Sequence, residues 1–117
     1  MNDQRFKDFK DFLIRENIVA LQESIKTIKE GYIPAYINGK IDFSPLLKEI
    51  FWLVELELKV RGIKVEHSFQ GILKAVKDKN HIVNDAFEFR KNPPNDKEKK
   101  VFVEKLKKYL DRLEKSL

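Results

Sequence analysis

The sequence predicts an all-α fold, a four- to five-helix up-and-down bundle that spans residues 1–117 as one domain. Three observations predict it. Apolar residues recur at spacings of three and four over long stretches. Glycine and proline cluster between those stretches instead of inside them. The one segment that alternates like a strand is better satisfied as a helix. A chain of 117 residues is long enough for one hydrophobic core and short for two.

Residues 3–30 read as the first helix, with Ile14, Ile18, Leu21, Ile25 and Ile28 on one stripe, Phe6 and Phe9 leading into it, and Gly31 as its C-cap. The segment GYIPAYINGKIDFSP holds two glycines and two prolines and reads as a connector with room for one short helical turn. Ser44 followed by Pro45 is an N-cap and first-turn pair that opens a second helix.

That helix runs into VELELKVRGIKVEHSF, residues 54–69. As a hairpin turning at Arg61-Gly62, the segment would set Lys59 opposite Lys64 and Glu57 opposite Glu66, two unfavourable like-charge pairs. As a helix, Glu55–Lys59 and Glu57–Arg61 become i,i+4 pairs with the acid on the N-terminal side, the favourable order. Leu47, Ile50, Phe51, Val54 and Leu58 then form a stripe and Gly62 a C-cap. Leu46, Trp52, Leu53, Leu56 and Val60 fall off that stripe, which marks a helix either central in the bundle or lying in a dimer interface. A third helix is expected over residues 67–78 and a fourth over 82–90. KNPPND interrupts the chain. Asn95 with Glu98 makes a capping-box start for a last helix that carries Phe102, Leu106, Tyr109, Leu110, Leu113 and Leu117 on one face.

The net charge is +5, and residues 97–117 hold eight Lys/Arg against four Asp/Glu. This basic C-terminal helix is either a solvated face or an electrostatic footprint for nucleic acid or an acidic partner. With no cysteine, disulfides and thiolate chemistry are excluded. The N-terminal MNDQRFKDFK has no apolar signal core, and no apolar run approaches the ~18 residues of a membrane span. A cytoplasmic location without membrane contact is expected. There is no glycine-rich phosphate loop, the two histidines show no metal-ligand spacing, and no cofactor is called for. Glu55 and Glu57 point in different directions on a helix, a poor acid–base pair whose role is structural. One chemical pattern remains: Arg61 and His67, separated by five residues, have the Arg-x4–6-His spacing of a family of helical RNases. His67 reads equally as a capping or packing residue at a helix start.

The segment from Glu23 to Leu73 resembles HEPN domains, small helical domains of prokaryotic nucleotide- and RNA-related proteins. The matching residues are Gly31-Tyr32, Glu55 with Lys59, Gly62, His67 and Ile72-Leu73; in the tail, Arg90 and Pro93 correspond to a late Arg-Pro turn. In active members the Arg-x4–6-His motif opens a late helix. Here Arg90 is followed by KNPPNDK without a histidine, the Arg61/His67 pair straddles an earlier helix break, and bulky IFWLV replaces the small residues usual before Glu-x-x-x-Lys. The resemblance therefore implies a non-catalytic, dimeric module that binds RNA or nucleotide phosphates. Arg61, His67, Arg90 and Lys91 would contact phosphate, and Lys97, Lys99 and Lys100 would add steering. It also implies a nucleotidyltransferase-like or other protein partner. Two alternatives stand beside it. One is a protein-interaction subunit, antitoxin-like or accessory to a nucleic-acid-processing complex. The other is a metal-independent RNase with Arg61 and His67 as the catalytic pair.

Overall fold

The computed structural model describes residues 3–117, and side chains from residue 11 onward; Phe6 and Phe9 of the predicted stripe lie outside the described side chains. Within that range the chain is all-α, with no strand. Helix α1 (Asp3–Thr27) does not stop at Gly31. It widens into a π-helical turn (Ile28–Tyr32), in which Ile33 donates to the Ile28 carbonyl five residues back, and continues as α2 (Ile33–Ile37). Pro34 supplies a reason: it has no N–H for the carbonyl four residues earlier, and its ring would strike that group in a regular α-turn. The expected C-cap at Gly31 is thus replaced by Gly39. There φ is +73°, and Gly39 and Lys40 donate to the carbonyls of Tyr36 and Ala35, the Schellman closure that favours glycine.

The ambiguous segment is helical. Helix α3 (Phe43–Val60) ends at Gly62 with φ +78°, where Gly62 and Ile63 donate to the carbonyls of Lys59 and Leu58 and repeat that closure. The N-terminus of α3 differs from expectation. Asp42 holds the cap position and Ser44 already lies within the first turn, because Phe43 is drawn into the core against Tyr36, Phe89 and Phe102. Helix α4 (Phe69–Ala75) is shorter than predicted, with Ser68 as its N-cap. Helix α5 (Ile82–Lys91) is capped by His81. Helix α6 (Asp96–Lys115) opens on the predicted Asn95–Glu98 capping box.

Helix α3 lies at the centre, packed against α1, α2, α4 and α5. Its off-stripe residues Leu46 and Leu53 are fully buried, and Trp52, Leu56 and Val60 pack against the core. The apolar surround of α3 is therefore used at least in part inside the chain. The molecule measures 58 × 27 × 20 Å. The continuous α1–α2 rod, about 50 Å at 1.5 Å per residue, sets the long dimension. Its core stripe is buried at Leu21, Ile25 and Ile28, while Ile14 is exposed, so the rod's N-terminal part overhangs the bundle. Lys29 ties the rod to α6 through Asp111 (2.7 Å) and Glu114 (3.2 Å).

Candidate nucleic-acid interface

Two glutamates of α3 are the only charged side chains buried among the described residues, Glu55 at 6% and Glu57 at 5% exposure. A buried carboxylate is costly unless its oxygens are hydrogen-bonded, and the two find different partners. They stand about 200° apart around the helix axis.

Glu57 carries the network sequence reading missed. Its Oε1 accepts from His81 Nε2 (3.0 Å) and from the Tyr109 hydroxyl, and its Oε2 faces Arg61 Nη2 at 3.1 Å. His81 Nδ1 accepts the Val83 N–H at 3.1 Å, so the ring proton sits on Nε2 and points at Glu57. One carboxylate thereby ties α3 to the start of α5 and to α6. Burial pushes the Glu57 carboxyl up, but the hydrogen bonds from His81 and Tyr109 and the Arg61 charge outweigh it and hold the group below its ordinary value. Burial, then the Glu57 charge, pushes the Tyr109 hydroxyl far above its ordinary value. A cavity of about 320 Å³ opens beside this network, with Arg61, Asp78, Lys105 and Arg112 in its wall. Two of its three cations are already paired, Arg61 with Glu57 and Lys105 with Asp85.

Glu55 pairs with His67, not with the expected Lys59. His67 Nδ1 lies 2.7 Å from Oε2 and 3.0 Å from Oε1. The imidazole stacks on Trp52 with ring centroids 4.7 Å apart and planes 16° from parallel. The tight chain path after it explains Gly71: a Cβ there would meet the Glu66 carbonyl oxygen at 2.7 Å and Ser68 Oγ at 2.9 Å. Arg61 and His67 are thus held by two carboxylates on different sides of α3. The two residues of the predicted catalytic pair share no partner.

The structure instead joins His67 to Arg90 through a run of rings. Trp52 packs on Phe69 (5.3 Å), Phe69 on Phe51 (4.6 Å), and the Arg90 guanidinium lies 3.9 Å from the Phe69 centroid. Lys91 Nζ sits 4.4 Å over Phe87. Arg90 and Lys91 line an open cleft of about 480 Å³ with Ser68, Phe69, Gln70 and Phe87. Neither cation meets a carboxylate among the described residues. Cation–π contact fixes such groups without neutralising them. Lys97, Lys99 and Lys100 do not line this cleft. Lys97 borders a groove with Phe89 and Phe102, Lys99 stands 5.7 Å over Phe43, and Lys100 borders another groove with Val101 and Lys108.

No family model, curated protein or solved structure matches the chain. No helix among the described residues is long and apolar enough to cross a membrane.

Proposed function

We propose that this chain is a HEPN-like helical module that binds the phosphates of RNA or nucleotides without cleaving them. The observation that carries this reading is the cleft at the C-terminal end of α5. Arg90 and Lys91 are held there on aromatic rings, charged and free of carboxylate partners among the described residues. Lys97, Lys99 and Lys100 add long-range attraction from α6 rather than direct contact. The engagement of Arg61 and His67 by different glutamates supports a binding role over a nuclease role, since a cleaving pair must be free to reach one phosphate together.

The test is fluorescence anisotropy of labelled single-stranded RNA across a salt series, with the RNA then run on a gel. Two phosphate contacts on a single strand give a log–log salt slope of about −1.4 or steeper. Arg90→Glu with Lys91→Glu should weaken binding at least about tenfold, with the helical circular dichroism retained and the RNA intact. Unchanged binding in that variant rules out the cleft. Cleaved RNA, lost in His67→Ala, rules out the non-catalytic reading.

One observation favours a second reading, a protein-interaction module that pairs with a second copy of itself. Phe12 and Val19, 52% and 50% exposed, lie seven residues apart on one face of the overhanging part of α1. This reading expects sedimentation at twice the chain mass and a monomer for Phe12→Lys with Val19→Lys. A native chain that stays monomeric at every concentration excludes it.

A further inference from the structure

We infer that the exposed ring of His67 is a stacking platform for an unpaired nucleobase. The cleft ligand is then a single-stranded nucleic acid with a base on His67 and a neighbouring phosphate at Arg90 and Lys91. This rests on the phosphate-binding reading of the cleft and names its ligand.

The argument begins with what holds the ring. The His67 side chain is 73% exposed, a condition in which side chains ordinarily sample several rotamers. Here both degrees of freedom are taken up. One ring face lies flat on Trp52, and Nδ1 is clamped between the two oxygens of Glu55. Glu55 is one of only two charged groups buried among the described residues, so a desolvated carboxylate is spent on orienting a solvent-facing ring. Covering Trp52 alone requires neither charge nor a fixed plane, because a leucine or methionine in that place would do it. What the clamp adds is a flat aromatic face, presented outward and already ordered, and such a face binds a base at low entropic cost.

The second part is position. The rings of Trp52 and Phe69 connect His67 to the Arg90 guanidinium, so the platform and the cations share one surface. Aromatic platforms beside a cationic track are the recurring form of single-strand binding sites, since every base has a π-face while the phosphates supply affinity. Nδ1 is taken up by the carboxylate, which leaves Nε2 free to hydrogen-bond a base edge. Trp52 is the single tryptophan of the chain and lies directly beneath the platform, so its emission reports on what settles there.

The experiment compares single-stranded oligoadenylate, as ribo- and deoxyribo-oligomers, with an abasic strand of equal length and charge. Binding is followed by anisotropy and by Trp52 emission. The base-bearing strands should bind about tenfold more tightly than the abasic strand and perturb Trp52 emission, while the abasic strand leaves it unchanged. His67→Ala should remove that preference without changing abasic binding, and His67→Phe, which keeps a ring but loses the clamp, should retain part of it. A tighter ribo- or deoxyribo-strand assigns the sugar, and either result supports the platform. Equal binding of base-bearing and abasic strands overturns the platform while leaving the phosphate site standing. Absence of binding by all three strands overturns both. The comparison made on the native chain keeps the test valid if His67→Ala, with Glu55 left buried and unpaired, folds poorly.

Discussion

Glu57→Ala should lower the unfolding free energy by about 3 kcal/mol. The substitution removes the acceptor shared by Tyr109 and His81 and leaves two largely buried donors without partners, at about 1–3 kcal/mol each. Arg61, exposed on the other side of the carboxylate, returns to water at little cost. Tyr109→Phe alone should cost about 1.5 kcal/mol, and the double variant less than the sum, because no orphan hydroxyl then remains. Denaturant titrations of the four proteins give the cycle. Additive losses would mean that Glu57 and Tyr109 do not act as a unit.

The same network sets two limbs of the pH–stability curve. The folded Glu57 carboxyl is held below its ordinary value of 4.5, so the folded state binds fewer protons than the unfolded chain near that pH. Its contribution is complete above about pH 4.5 and is lost as pH falls through the lowered folded value. Tyr109 is raised above its ordinary value of 10.0. Its contribution is complete below pH 10 and declines above it, as the unfolded tyrosine ionises and the folded one does not. Glu57→Gln should flatten the acid limb and Tyr109→Phe the alkaline limb. A Tyr109→Phe protein with an unchanged alkaline limb would show that other groups set it.

Phe51→Ala should cost about 4 kcal/mol. This would lower the melting temperature by about 15 °C for a domain of this size. Phe51 is fully buried in the central helix, and no neighbour there can collapse into its space without losing its own contacts. Its loss also reaches the surface. Phe51 backs Phe69 at 4.6 Å, and Phe69 in turn carries Arg90. RNA affinity, measured where the variant is still folded, should fall as well. Leu110→Ala in α6, which is just as buried, should destabilise by a similar amount and leave affinity intact. Calorimetry and the same anisotropy assay decide this, and equal affinity in the two variants would mean that the ring stack does not position Arg90.

Much of the fold could be read from local chemistry, because the deciding terms act within a few residues. The charges around residues 54–69 chose helix over hairpin since i,i+4 pairing is a local matter, and Gly62 and Asn95 marked helix ends through backbone geometry and capping bonds that need no tertiary partner. Gly31 misled for the same reason. A glycine permits a helix stop without requiring one, and only the need to accommodate Pro34 and bury Ile33 shows why the rod continues to Gly39.

The candidate site divides along the same line. Arg90 and Lys91 were legible as cations beside a proline break. That Arg90 stands unpaired on Phe69 was not, because that contact joins α4 and α5 in space. The Arg61–His67 spacing suggested a pair, yet residues close in sequence flank a helix end whose geometry sends them to different carboxylates. Glu57, His81 and Tyr109 are far apart in the chain, and the one sequence hint to their meeting was an acid between Leu56 and Leu58 of a largely apolar helix. By itself the sequence determined which segments are helical, which faces are apolar and where positive charge gathers. Only the tertiary structure decided which carboxylate each cation and histidine meets, because a buried charge accepts whatever partner the packing brings within 3 Å.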